Sequence, residues 1–150
     1  MNHYEMTDGD LLLSTDKALL NRAFIHEFLS RHSYWAQGIP VATMDRALEH
    51  SLCFGVYRAS RQIGFARVVT DYATFAWLAD VFIDEAERAH GLGKKLVPFA
   101  LAHPQLQGLR RFMLGTRDAH GLYARYGFAP LENVDRFMQI QNLNPYPPLS

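Results

Sequence analysis

Val81-Phe82-Ile83-Asp84-Glu85-Ala86-Glu87-Arg88-Ala89-His90-Gly91-Leu92-Gly93-Lys94-Lys95-Leu96 is the stretch on which the reading of this chain turns. An apolar, strand-like run enters a short acidic turn, and a glycine-punctuated helix start follows. The first N–H groups of a helix lack intrahelical partners, and that end carries a partial positive charge. Glycine has no Cβ, so a ligand can approach its backbone. Together these features describe a phosphate site. Lys94 and Lys95 sharpen the point. Two cations in a first helical turn oppose the macrodipole, and an anion held there would remove the conflict. The competing reading is a solvated basic turn behind a flexible loop. The spacing matches neither the P-loop, Gly-x-x-x-x-Gly-Lys-Ser/Thr, nor the dinucleotide fingerprint, Gly-x-Gly-x-x-Gly.

Upstream, Thr74 to Asp84 is apolar almost throughout, which predicts a central strand covered on both faces. Leu52 to Arg58 and Gln62 to Thr70 read as a hairpin closed by Ala59-Ser60-Arg61. Before them, Asp10 to Ser14 reads as a strand. Asp16 to Ser30 reads as one amphipathic helix, with Leu20, Phe24 and Phe28 every fourth residue and Thr15 or Asp16 as cap. Arg31 to Pro40 is a loop carrying Tyr34 and Trp35, and Thr43 to His50 a second helix. Downstream of Gly91 come a helix, a strand over Arg111 to Leu114, a short helix over Asp118 to Tyr126, and a closing strand over Arg136 to Gln141. Pro98 lies inside the first of these helices, where a proline costs about 3 kcal/mol. A kink or an early helix end is expected there. The order β-α-α-β-β-β-α-β-α-β specifies an α/β fold: a mixed, mainly antiparallel twisted sheet flanked by helices.

The chain has 150 residues, enough for one domain spanning 1–150. Fifteen basic residues balance fifteen acidic ones, so no overall attraction to nucleic acid or an anionic membrane is expected. Cys53 is the single cysteine. It excludes an internal disulfide and reads as a small core residue. Met1 to Glu5 has no apolar signal core, and no uncharged apolar run approaches the ~20 residues that span a bilayer. A cytoplasmic protein is the expectation. The seven histidines show no zinc spacing, so no metal is expected.

Arg88-Ala89-His90-Gly91-Leu92-Gly93 resembles the Arg/Gln-x-x-Gly-x-Gly/Ala acetyl-CoA signature of the GNAT superfamily of N-acetyltransferases. Leu122-Tyr123-Ala124-Arg125-Tyr126-Gly127-Phe128 resembles that family's Leu-Tyr-x-x-x-Gly-Phe motif. The resemblance runs from about Asp10 to Gln141 and is strongest from Phe75 to Phe128. Three positions depart from it. Glu85 stands where many relatives carry proline, Thr116 where they carry asparagine, and Pro98 is unusual in its helix.

The resemblance implies a GNAT-like acyl-CoA N-acyltransferase fold and transfer of the acetyl group of acetyl-CoA, as co-substrate, to a primary amine. It implies that backbone groups of Val81, Phe82 and Ile83 pair with the pantetheine arm as an added strand. The pyrophosphate would lie on the amides of Arg88, Ala89, His90, Gly91, Leu92, Gly93 and Lys94, with Arg88 and Lys94 side chains beside it. Thr116 would take the place of the asparagine contact. Tyr123 would be the general acid on the CoA sulfur, and Tyr126 structural.

Asp80 is a carboxylate in an apolar run, where an unpaired charge is costly. It is a candidate base or a hydrogen-bonded structural aspartate. Asp118 and His120 are rival proton acceptors. Tyr34 and Trp35 could line the acceptor pocket or clip the core, and Thr70, Asp71 and Tyr72 could touch the acceptor. The acceptor would be a small-molecule or peptide amine, and the resemblance leaves a homodimer open. Rival functions are a non-catalytic CoA-binding regulatory domain and an acyltransferase with another acyl group or acceptor.

Overall fold

The computed structural model describes residues 2–147. Six strands lie side by side in chain order: β1 (Glu5–Asp8), β2 (Leu11–Ser14), β3 (Leu52–Arg58), β4 (Arg61–Thr70), β5 (Phe75–Ile83) and β6 (Arg111–Leu114). The first five pair antiparallel, and β6 joins β5 in parallel. This is the mixed, mainly antiparallel sheet expected from the sequence. The helices α1 (Arg22–Glu27) and α2 (Val41–Glu49) bury Ile25, Met44 and Leu48 against Cys53, Phe65 and Phe82. The helices α3 (Gly93–Leu101) and α4 (His120–Ala124) bury Leu96, Val97 and Tyr123 with Leu13, Phe54 and Val68 in a second core.

The β3–β4 turn places Ala59 and Ser60 at φ 49° and 69°. Two successive positive-φ residues are what a tight two-residue hairpin requires, since that turn matches the twist of its strands. Further along, β4 and β5 slip register. Phe65 faces Phe82 and Arg67 faces Ala79, so β5 carries one residue more than β4 across the interval. Asp80 sits in this bulge at φ 54°. Aspartate tolerates the left-handed region better than most side chains, and a bulge re-aims the side chains around it.

Several expectations are corrected. The helix expected over Asp16 to Ser30 is three pieces: a 3-10 turn at Lys17–Leu19, then α1, then a π-turn at Phe28–His32. Asp16 accepts from Ala18 N and Asn21 from Phe24 N, so two capping side chains start two helical segments. β1 lacked apolar alternation and was not anticipated. It is held through the β2 ladder and by Ser14 Oγ donating to Glu5 Oε2 at 2.5 Å. β5 is covered on one face only at its start, where Phe75 and Trp77 remain 38% and 37% exposed. The closing strand expected over Arg136 to Gln141 does not form; a 3-10 turn at Val134–Arg136 leads into chain without a ladder.

Pro98 neither ends nor interrupts α3, which continues to Leu101. The missing proline N–H would have served the carbonyl of Lys94, four residues earlier. Tyr126 Oη donates to that carbonyl instead, at 3.0 Å. Tyr126→Phe should therefore lower stability by about 1 kcal/mol in Pro98 protein. It should cost less in a Pro98→Ala background, where the helix supplies its own donor. A chemical-denaturation double-mutant cycle checks the coupling.

Burial pushes the Cys53 thiol up from 9.0 to about 11, against the lowering influence of Lys17 and Arg67. A raised acid holds its proton more tightly in the fold than in the unfolded chain. Its contribution is complete below pH 9 and is lost between there and pH 11. Stability should fall across that window by about 1.4 kcal/mol per pH unit for this group. Cys53→Ala should flatten the slope, as read from denaturation midpoints against pH.

Candidate active site

The parallel ladder between β5 and β6 ends at Leu78 and Leu114. Beyond it, Ala79–Ile83 has no strand partner on the β6 side, and Gly115–Asp118 turns away toward α4. A cleft of about 470 Å³ opens between these segments. Its walls include Trp77, Ala79, Asp80 and Val81 on one side and Thr116 to Ala119 on the other. Tyr123 reaches it from α4, and Tyr34 and Trp35 reach it from the loop before α2.

Below this cleft a smaller depression of about 260 Å³ is lined by Ile83, Arg88, Ala89, Gly91, Leu92, Gly93 and Lys94. Gly91 has φ 71°, and a Cβ added there would meet nothing within 4 Å. The loop thus leaves open space directly over its backbone at the start of α3. Arg88 Nε donates to the carbonyl of Ile83 at 3.2 Å, tying the loop to the end of β5. The acidic turn is neutralised from the other side, where Arg58 and Arg61 both pair with Glu87. Lys95 pairs with Asp8 of β1, so only Lys94 of the two lysines lines the depression. An open backbone cradle, a helix N-terminus, Arg88 and Lys94 fit a pyrophosphate. His90 projects outward, with Nδ1 3.9 Å from Glu87 Oε1.

Asp80 is bonded through both carboxylate oxygens. Trp35 Nε1 donates to Oδ1 and Arg67 Nε to Oδ2, each at 2.7 Å. Arg67 continues the chain by donating to Ser51 Oγ at 3.0 Å, and Ser51 donates to the carbonyl of Ala47 in α2 at 2.6 Å. One network therefore joins the Trp35 loop, β5, β4 and α2. Of the two readings of Asp80, this environment matches the hydrogen-bonded structural aspartate. Arg67 was not singled out in the sequence, although a signal existed. A lone cation in the apolar run of β4 and a lone carboxylate in that of β5 each need a partner.

Across the cleft mouth, Tyr34 Oη accepts from Arg117 N at 2.9 Å, and the Arg117 guanidinium lies 3.9 Å over the Tyr34 ring. Thr116 Oγ1 accepts from Ala119 N at 3.1 Å and so caps the approach to α4 while bordering the cleft. Tyr123 is buried, stacked edge-on to Phe128 at 5.9 Å. Burial raises its phenol above the ordinary value, with a smaller contribution from Tyr34. Val81 and Ile83 pack on the α3 core, while the Phe82 ring stacks on Phe28 at 3.9 Å. Phe82 can therefore offer a ligand only its backbone. His120 does not border the cleft; it lines a groove beside β6. Thr70, Asp71 and Tyr72 are also absent from the cleft. Asp71 Oδ1 accepts from Ala73 N, Thr74 N and Phe75 N, and so builds the β4–β5 turn.

Residues 49–130 match the model of the acetyltransferase (GNAT) domain. The chain is 34% identical over 141 residues to FG08082 of Gibberella zeae, whose name is a provisional acetyltransferase assignment; the match covers 79% of this chain and 78% of that protein. It is 50% identical to a Xanthomonas campestris pv. campestris protein (xcc2953) whose crystal structure is described as a GNAT-family acetyltransferase. That match has a TM-score of 0.88 and covers 91% of this chain and 96% of the other. An Elizabethkingia anophelis GNAT-family structure with acetyl-CoA bound shares the fold at a TM-score of 0.61 and 14% identity, covering 81% of this chain and 78% of that one. The chain belongs to the GNAT acetyltransferase family.

Proposed function

We propose that this protein acetylates a small primary amine with acetyl-CoA as donor. The observation that carries the reading is that one edge of β5 lines both cavities, with Ala79 and Val81 in the cleft and Ile83 in the depression. That edge, free of a strand partner on the β6 side, runs from the Tyr123 end of the cleft toward the open cradle of Arg88–Lys94. The cradle amides, with Arg88 and Lys94, would hold the pyrophosphate. The free edge of β5 offers backbone groups to the amide-bearing pantetheine arm as a neighbouring strand would. A backbone N–H on that edge would stabilise negative charge developing on the acetyl oxygen.

The acceptor enters beneath Tyr34 and Trp35. Its amine arrives mostly protonated at neutral pH, because an alkyl ammonium has a pKa near 10.4. The cleft lining holds the carboxylates of Asp80 and Asp118 and the guanidiniums of Arg67 and Arg117, which balance in charge, while Trp35 and Trp77 supply aromatic surface to the acceptor. The proton must leave before attack. Both oxygens of Asp80 are already engaged, so we assign it to holding Trp35 and Arg67 in place. The exposed carboxylate of Asp118 is the better outlet to solvent. Tyr123, protonated through the neutral range, donates to the departing sulfur.

Purified protein mixed with acetyl-CoA and a panel of primary amines, with released CoA thiol followed colorimetrically, tests the reading. Amine-dependent thiol release, with the N-acetyl product seen by mass spectrometry, is the expected result. CoA binding without turnover on any amine, peptide or amino-acid acceptor would instead mark a regulatory binding domain.

A further inference from the structure

The four charged side chains that border the cleft balance in sign, but they are not equally spent. Asp80 and Arg67 are largely buried and bonded to each other at 2.7 Å, so each answers the other at contact. Arg117 and Asp118 are neighbours in the loop between β6 and α4, and both are exposed. Arg117 Nη2 and Asp118 Oδ2 stand 3.9 Å apart, too far for a hydrogen bond. The cleft therefore keeps one cation and one anion side by side, neither closed on the other.

Arg117 is held in place without using its guanidinium donors. The guanidinium lies over the Tyr34 ring, 3.9 Å from the centroid. A cation over a ring is attracted by the ring's quadrupole and needs no hydrogen-bond acceptor there. Its planar fork of N–H groups stays available to an oxygen ligand. Among the described residues only the Arg117 backbone N–H finds an acceptor, the Tyr34 hydroxyl. The ring beneath is fixed in turn. Tyr34 packs edge-on to Trp35 at 5.0 Å, and Trp35 is bonded to Asp80. A cation positioned in advance loses little freedom when an oxyanion arrives.

Asp118 is the outlet assigned above for the acceptor's ammonium proton. An amine turned toward Asp118 leaves Arg117 facing the atoms next to that amine. A plain alkylamine would put carbon there and leave the fork to water. An α-amino acid puts a carboxylate there, because its amine and carboxylate share one carbon, and a planar carboxylate matches the guanidinium fork. We propose that the acceptor is an α-amino acid, its carboxylate bound by Arg117 and its amine directed between Asp118 and the thioester. This rests on the acetyl-transfer reading and names the substrate class for it. A zwitterion also suits a lining that is itself neutral, and its side chain meets the partly exposed rings of Trp35 and Trp77. The amine nitrogen bonds to the acetyl carbon as the carbon–sulfur bond breaks. The ammonium proton leaves through Asp118, and the sulfur takes its proton from Tyr123.

The test pairs each amino acid with its amide: L-phenylalanine with L-phenylalaninamide, and glycine with glycinamide. The amides keep the amine and lose only the anion. Wild-type kcat/KM should favour each acid by at least about tenfold, the least that a charge-assisted pair of hydrogen bonds contributes. Arg117→Met should bring that preference to within about twofold, chiefly by raising KM for the acids. Arg117→Lys keeps the charge without the fork and should restore part of it. Arg117 is exposed, so both variants should keep the wild-type Tm. Equal use of acid and amide by the wild type, with turnover of both, would overturn the proposal and leave the acetyl-transfer reading standing. A preference that survives Arg117→Met would overturn it as well. CoA binding with no turnover on any acceptor would remove the acetyl-transfer reading and this proposal with it.

Discussion

Tyr123→Phe should lower kcat by about 10²–10⁴-fold, the usual contribution of a positioned acid, with little change in KM for acetyl-CoA or in thermal stability. The ring that packs against Phe128 and the α3 core is retained. Only the hydroxyl is lost, and with it the proton that Tyr123 supplies. The pH profile separates an acid from a packing residue. Burial raises the Tyr123 phenol, so the wild type should hold its rate through neutral and mildly alkaline pH. The rate should then decline as the phenol ionises, because an ionised tyrosine has no proton to give. The variant should lack that alkaline limb and show only a low, flat residue of activity. Steady-state kinetics across pH, with CoA binding by calorimetry, would decide it. A variant of near wild-type kcat would move the acid elsewhere.

Asp80→Ala is the change expected to damage the fold most. It leaves the Arg67 guanidinium, largely buried, without its carboxylate. Breaking one side of a buried pair costs about 3–5 kcal/mol. Alanine at φ 54° tolerates the left-handed region less well than aspartate and adds a smaller penalty. For a domain of this size the loss should lower Tm by on the order of 10 °C. Trp35 loses its acceptor at the same time, so the loop over the cleft should loosen and KM for the amine should rise more than kcat falls.

The compensated variant separates structure from chemistry. Asp80→Asn with Arg67→Met keeps an acceptor for Trp35 and removes the stranded charge. It should recover most of the stability. If Asp80 only positions, the folded double variant should retain activity within about tenfold of the wild type. A well-folded but inactive double variant would return Asp80 to the role of base, since each general base is worth about 10²–10⁴-fold.

The sheet and the phosphate loop were legible because each rests on local signals that agree with the tertiary result. The hairpin residues Ala59 and Ser60, the apolar run of β5 and the Gly91–Gly93 punctuation all specify what forms. Other elements rested on distant partners. Nothing in Glu5-Met6-Thr7-Asp8 marks a strand; its ladder comes from β2. The run Asp16 to Ser30 has helical periodicity throughout, but the Asn21 side chain restarts the helix from within. The apolar run of β5 was read as burial on two faces, yet Phe75 and Trp77 look outward. Periodicity reports which residues avoid water, and it does not say which element covers them. At the site, Tyr123 and the loop were placed by motif. The Asp80–Arg67 pair and the Tyr34–Arg117 clasp join residues 13 and 83 positions apart, and spacing alone could not bring them together.

The hydroxyl that Tyr126 lends to the Lys94 carbonyl also constrains the history of this chain. A lineage that acquired Pro98 first would have left that exposed carbonyl to water until a protein donor appeared. One that acquired Tyr126 first would have carried a spare donor at no cost. The second order has no valley in it. Once both are in place, losing the tyrosine first costs a hydrogen bond while losing the proline first costs none, so the pair acts as a mild ratchet.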